Sequence, residues 1–148
     1  MANLVDLDKL DKLYIVWAFL FHAVFIVHFA IRKPLMDVYT LKYGWIVYLL
    51  CIPAAIISIL LLRGGKSWPF WAGGFIFIMF AVFGFIIDYQ LQIPWRNPLR
   101  LSIMFPYVIL YLSTVMFYWW PLGMLSRPLW FVGAVLFIAE TILNVTSH

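Results

Sequence analysis

The chain has 148 residues, of which 66% are hydrophobic, 20% aromatic and 11% charged. Soluble domains carry about 45–50% apolar and about 25% charged residues, so this composition excludes an ordinary soluble domain and predicts an integral membrane protein. The net charge is +4, but the sequence contains no run of basic residues that would bind phosphates, so no nucleic-acid partner is expected. The single cysteine, Cys51, cannot form an internal disulfide or a Cys-pair metal site.

The first segment, residues 1–12, places leucines three apart with aspartates between them. This spacing predicts a short amphipathic helix at the membrane interface, and a frayed tail is the alternative. Acids stand where a signal peptide would have its basic region, so the first apolar run is expected to be retained as a spanning helix.

Residues 13–148 are predicted to form one all-α transmembrane domain, a bundle of five helices. Each apolar run is close to the length of about 20 residues that crosses a bilayer, and backbone groups in lipid must be satisfied within the segment, which requires helices. Because Glu140 and Asn144 interrupt the last run, a second architecture has four spans and an interfacial helix. The predicted spans are residues 13–31, 43–62, 68–87, 101–120 and 125–145.

The two ends of this bundle are expected to differ. We call the end where the first span begins the A end, and the opposite one the B end. The longer connections, Arg32–Lys42 and Asp88–Arg100, both fall at the B end. Lysine and arginine divide five against five between the ends, so the positive-inside rule does not orient the chain. The localisation that follows is a multi-pass protein of the cell membrane.

Ionisable residues within membrane spans are costly and are functional candidates for that reason. Alternating span directions place His28, Asp88 and Glu140 near the B end. Arginines enter the fourth span there, and Asn144 follows Glu140 by about one turn. The predicted ligand-binding set, which includes the mid-span His22, is Glu140, Asp88, His28, Arg96, Arg100, Asn144 and His22.

No metal or cofactor is predicted. His22 and His28 are six residues apart, which separates them by about 120° around a helix, so they cannot ligate one metal ion. A haem held by two histidines would need His148 at the chain end. A neutral His22 bonded to a neighbouring helix is the expected state.

Small residues share a helix face with each of the two acids in the spans: Gly133 with Glu140, and Gly73 and Gly84 with Asp88. Small residues let helices approach closely, so both acids are expected to face protein instead of lipid. A purely structural interpretation remains open, in which these acids pair with Arg96 or Arg100 as clamps.

The leading functional hypothesis is a non-enzymatic protein, either a subunit of a larger membrane complex or a binder of a hydrophobic or amphipathic small molecule. The polar cluster would hold a headgroup, and an aromatic interior of Phe21, Phe25, Phe77, Phe80 and Phe137 would hold the apolar body. The expected partners are the bilayer, that small molecule, a larger membrane protein or a second copy of the chain. No catalytic motif is present in the sequence.

Two alternatives stay open. One is a membrane enzyme whose catalytic candidates Glu140, Asp88 and His28 exchange protons with a lipophilic substrate. The other is a carrier that couples transport to protons or ions through the same groups.

Overall fold

The computed structural model describes residues 7–96 and 98–146, and these residues are helical except for short connections. A 3₁₀ segment, Gly44–Leu50, precedes the second helix, and a π-helical turn, Ile86–Gln90, continues the third. Residues 1–6 of the predicted N-terminal segment, Asn97 and the haem candidate His148 lie outside the described residues. The α-helices are α1 (Lys9–Lys42), α2 (Cys51–Arg63), α3 (Trp68–Phe85), α4 (Leu101–Trp119), α5 (Leu122–Leu125) and α6 (Arg127–Thr146).

Five of the helical segments are long and apolar enough to cross a membrane, which agrees with the predicted count. The last of them, α6, has 20 residues despite its internal acid. These five segments are Lys9–Pro34, Gly44–Arg63, Trp68–Gln90, Leu101–Leu125 and Arg127–Thr146.

The first helix begins four residues earlier than the first predicted span, at Lys9. Asp8 caps it, because its side chain accepts a hydrogen bond from the Asp11 N–H while the Asp11 side chain accepts one from the Asp8 N–H. This reciprocal arrangement satisfies two backbone donors that a helix start leaves without partners. Residues 9–12 of the predicted interfacial segment are therefore the first turn of α1.

The prediction of a loop over Arg32–Lys42 is wrong, because α1 continues to Lys42. The helix bends at Pro34. Residues 28 and 39 would be about 16 Å apart along a straight helix, yet the rings of His28 and Tyr39 have centroids 5.4 Å apart. Pro34 cannot donate to the carbonyl of Ala30 and its ring clashes with the preceding turn, which is the usual cause of such a bend. The last two turns of α1 thus lie beyond this bend, at the B end.

The core of the bundle is an aromatic cluster. α3 packs between α2 and α4, and α1 packs along α6 and also contacts α2 and α4. Phe21 of α1 stacks on Phe25 at 4.5 Å and meets Phe77 of α3 edge-to-face at 5.0 Å. A cleft remains between α4 and α6.

At the A end, Lys66 joins the α2–α3 turn to the start of α1. Its ammonium lies 2.7 Å from Asp8 Oδ2 and 2.5 Å from Asp11 Oδ1. The Lys66 ammonium, together with the Asp11 backbone N–H, holds the pKa of the Asp8 carboxyl below its ordinary value of 3.8. Burial lowers the pKa of Lys66, but its hydrogen bonds to Asp11 and Asp8 raise it overall above 10.5.

Replacing Lys66 with methionine is expected to lower the thermal stability by a few degrees at neutral pH, because the two aspartates lose their shared cation. A carboxyl whose folded pKa is depressed stabilises the fold above its ordinary pKa and stops doing so as the pH falls through the folded value. The difference in Tm between wild type and Lys66→Met should therefore stay constant from about pH 6 to 9 and shrink below about pH 4. Thermal unfolding in detergent measures it, and Lys12→Met at an exposed neighbouring lysine is the matched control. A Tm difference that is as large at pH 3 as at neutral pH would contradict its origin in the pairing of Lys66 with the two aspartates.

Candidate functional site

A buried hydrogen-bonded group joins three helices in the middle of the bundle. His22 Nδ1 of α1 lies 2.7 Å from Glu140 Oε2 of α6, and the Tyr111 hydroxyl of α4 donates to Glu140 Oε1 over 2.9 Å. The exposed fractions of His22 and Glu140 are both 0%, and that of Tyr111 is 2%. We call these three residues the Glu140 triad. Both carboxyl oxygens thus have a partner on another helix.

The protonation state of the triad follows from His22 Nε2. This nitrogen is buried and has no hydrogen-bond partner among the described residues. An imidazolium would leave a buried N–H donor unsatisfied there, at a cost of about 1–3 kcal/mol. We therefore assign a neutral His22 whose Nδ1–H donates to Glu140 Oε2. Because the Tyr111 hydroxyl donates to Oε1, both carboxyl oxygens act as acceptors, as they do in an ionised carboxylate, and we assign one negative charge to the triad.

A second polar group surrounds Asp88 at the B end. Arg96 Nη1 and Nη2 donate to the two Asp88 carboxylate oxygens over 2.9 and 3.0 Å, and Trp95 Nε1 donates to Oδ1 over 2.9 Å. The Tyr48 hydroxyl of the 3₁₀ segment adds a long contact of 3.5 Å. The Arg96 guanidinium also stacks on the Trp95 ring, 4.1 Å from its centroid. We call Asp88, Trp95 and Arg96 the Asp88 clamp.

The backbone around this clamp is irregular. Asp88 lies in the π-helical turn, a form that is rare and often marks functional sites. Gln92, four residues later, has a φ of 49°, which is uncommon for any residue other than glycine. The clamp holds the returning chain, residues 91–96 and 98–100, against the bundle.

The remaining B-end candidates have other partners. Arg32 donates to the Asn144 side-chain oxygen over 3.0 Å, and His28 Nδ1 lies 3.2 Å from the Tyr39 hydroxyl. Arg32, His28 and Asp88 all line a cavity of about 20 Å³, which has room for one water molecule.

A larger cleft, of about 310 Å³, lies between α4 and α6 and opens on the outer surface of the bundle. Tyr111 lines it, so the hydroxyl that holds Glu140 belongs to a cleft residue. Arg96 and Asn144 line the same cleft. Most of the remaining wall is apolar and comes from Leu99, Met104, Val108, Leu112 and Val145. We call this space the α4–α6 cleft.

The predicted residues therefore form two groups instead of one. Both acids face protein, as expected, and Asp88 pairs with Arg96 as the clamp interpretation proposed. Glu140, however, contacts His22 and not His28, and Arg100 is exposed just before α4. A hydrogen bond to Arg32 places Asn144 between the two groups.

The prediction that an aromatic interior holds the apolar body of a ligand is also wrong. Phe21, Phe25, Phe77 and Phe80 are packed against one another in the core, and Phe137 is half-buried and stacked on Trp119. Rings that fill the space between helices leave no room for a ligand body. None of these five phenylalanines lines the α4–α6 cleft.

Sequence reasoning missed Tyr111, Trp95 and Arg32. Arg32 lies in the segment that the sequence predicts to be a loop. For Tyr111 a signal existed: tyrosines in membrane helices concentrate at the interfaces, and a hydroxyl in the middle of a span needs a hydrogen-bond partner. Trp95 carried no comparable signal.

Over residues 7–96 and 98–146, the fold is all-helical, with five helices long and apolar enough to cross a membrane. It carries the buried Glu140 triad and the partly buried Asp88 clamp. Among the described residues, no three His, Cys, Asp or Glu side chains are grouped so that they could hold a metal ion. Comparison with protein-family models, curated proteins and solved structures finds no match for the chain. Any functional assignment therefore depends on the geometry.

Proposed function

We propose that the chain is an integral membrane protein that binds a single-chain amphiphile with an anionic headgroup in the α4–α6 cleft. The five apolar helices support the membrane assignment. The observation that carries the binding proposal is the cleft itself, an apolar space of about 310 Å³ that meets one arginine. A hydrophobic site with few polar groups is the usual form of a small-molecule site between helices.

The apolar wall suits a hydrocarbon chain that enters from the lipid. Val108 and Leu112 of α4 are each 37% exposed, and Val145 of α6 is 69% exposed, so the cleft opens sideways where a membrane helix would face lipid. A chain could then pass from the bilayer into the cleft without crossing water.

The polar boundary suits an anionic headgroup. Arg96 is the one charged residue among those that line the cleft in the described part of the chain. A guanidinium has five N–H groups, and those of Arg96 donate to Asp88 from Nη1 and Nη2 on one side only. Arg96 can therefore contact a carboxylate, sulfonate or phosphate and keep its bond to Asp88. Arginine is well suited to such groups because its donors are fixed in a plane.

The size of the cleft favours a single chain. Sites for drug-sized ligands enclose about 300–1,000 Å³, and this cleft lies at the lower limit. A two-chain phospholipid would leave one chain in the bilayer, so the proposed occupant is a fatty acid or a similar single-chain anion.

Photo-labelling with a diazirine derivative of stearate tests the proposal. The labelling is done in membranes that have been washed with alkaline carbonate, so that loss of the chain in the wash would contradict the membrane assignment directly. We expect saturable labels on peptides of α4 and α6, displaced by unlabelled stearate. Stearyl alcohol, which has the same chain without the charge, should need at least about a tenfold higher concentration, equivalent to about 1.4 kcal/mol of headgroup binding.

Two variants provide the matched controls. Val108→Phe combined with Val145→Phe fills the cleft and should weaken stearate binding at least about tenfold, through steric exclusion. Ile109→Phe adds the same ring at a neighbouring position that is 60% exposed and outside the cleft, and should bind as wild type. Equal, unsaturable labelling of all three proteins would show only partition into lipid and would overturn the proposal. A stoichiometric membrane protein that covers the cleft would instead favour the role of a complex subunit.

A further inference from the structure

The Glu140 triad lies directly behind the wall of the α4–α6 cleft. We propose that Glu140 takes up a proton when an anionic amphiphile occupies this cleft, so that binding is coupled to protonation. This inference depends on the proposed function, because it concerns the same cleft and the same class of ligand.

Three residues that line the α4–α6 cleft connect it to the Glu140 triad. Tyr111 lines the cleft and donates to Glu140 Oε1 over 2.9 Å. Thr141 and Asn144, which follow Glu140 by one and four residues on α6, line the cleft as well. The carboxyl group is thus separated from the cleft by a single layer of side chains.

The charge of the triad makes it the place where a proton is most easily added. Glu140 is ionised and His22 is neutral in the assignment above, so one negative charge lies in a site with no exposed surface. A charge buried in this way is costly, and a second negative charge nearby increases the cost because the two repel each other. Proton uptake by the triad removes that repulsion, whereas a neutral ligand would not produce it.

Few other groups compete for the proton. The titratable groups that face Glu140 in the described structure are His22 from α1 and Tyr111 from α4. Helix α5, Leu122–Leu125, contains no titratable side chain. Arg32 meets α6 one turn further on, through Asn144, and remains charged throughout.

The chain offers an unusually direct probe, because Glu140 is its only glutamate. Protein labelled with ¹³C at the glutamate δ carbon gives one carboxyl resonance, whose chemical shift reports the protonation of Glu140 in the unmodified protein. The ligand used is hexadecanesulfonate, which stays anionic across the pH range and contributes no carboxyl signal. Its binding is verified independently by displacement of the diazirine stearate.

We expect hexadecanesulfonate to shift the protonation midpoint of Glu140 upward by about one pH unit, a tenfold change in proton binding. The same ligand should bind more weakly as the pH rises through that interval, by at most about tenfold per pH unit. Ile109→Phe should respond as wild type, and the cleft-filled Val108→Phe, Val145→Phe protein should show no shift.

The outcomes separate the two proposals. If hexadecanesulfonate displaces stearate but the Glu140 midpoint does not move, the proton coupling is wrong and the binding function stands. A midpoint that moves equally in the cleft-filled protein would also overturn the coupling, because the ligand would then act from outside the cleft. If no saturable ligand binding occurs in wild type, the proposed function fails and the coupling fails with it.

Discussion

Replacing Glu140 with alanine is expected to destabilise the bundle by about 3 kcal/mol. The substitution removes the hydrogen bonds from His22 and Tyr111 and leaves space at the centre of the bundle. Hydrogen bonds between membrane helices are worth about 0.6–2 kcal/mol each, and the cavity left by a truncated buried side chain adds a further cost. The expected value is the sum of the two hydrogen bonds and this cavity term.

The measurement is the free energy of unfolding in mixed micelles with an increasing fraction of SDS. Ile138→Ala, on the same helix at a position that is 54% exposed, is the control and should change stability by less than about 0.5 kcal/mol. The double variant His22→Leu, Glu140→Leu should recover most of the loss, because replacing a buried polar pair with apolar residues is often neutral. An unchanged stability of Glu140→Ala would mean that the triad does not hold the helices together.

The second large effect is expected at the B end. Asp88→Ala removes the acceptor of two hydrogen bonds from Arg96 and one from Trp95. Trp95 and Arg96 then lose their attachment to the π-helical turn, and the uncommon backbone conformation of Gln92 is no longer offset by these contacts. Hydrogen bonds to charged groups contribute about 1.5–3 kcal/mol. We therefore expect the segment to open about 10- to 100-fold more often than in wild type.

Limited proteolysis with trypsin in detergent measures this opening, since the cleavage rate follows the open population when closing is fast. Cleavage after Arg96 should accelerate by that factor in Asp88→Ala and by less in Asp88→Asn, which keeps one acceptor oxygen. Cleavage after Lys66, at the A end, is the internal reference and should not change. Equal rates after Arg96 in wild type and Asp88→Ala would show that the clamp does not hold the segment.

The two substitutions also distinguish the roles of the two clusters in ligand binding. Asp88→Ala frees Arg96, which lines the α4–α6 cleft, and should weaken stearate binding along with the attachment of the segment. The Glu140 triad contributes a proton site behind the cleft wall. Removing the triad should abolish the pH dependence of hexadecanesulfonate binding and should change the affinity itself much less.

The position of Glu140 along its helix explains why the sequence did not predict its histidine partner. The predicted span starts at residues 13 and 125 place Glu140 nearer the B end than His22. In the structure both residues lie thirteen positions after the first residue of their helices, Lys9 and Arg127. Each residue is thus about 20 Å along its helix, which agrees with the 2.7 Å contact between His22 Nδ1 and Glu140 Oε2. An error of a few residues at each helix start, where hydropathy is a weak guide, was enough to choose the wrong histidine.

What the sequence determined by itself is the helical architecture and the inward direction of the acids. Hydropathy over about 20 residues and the helical period depend on local composition, so five apolar helices and the protein-facing sides of Asp88 and Glu140 follow from the chain alone. The partner of each acid, the bend at Pro34 and the α4–α6 cleft were decided by tertiary structure. Each depends on the axial offset and spacing between helices that are distant in sequence, to which no local pattern is sensitive. The proposed ligand site belongs to that second group, because a cleft exists only between helices that have already packed.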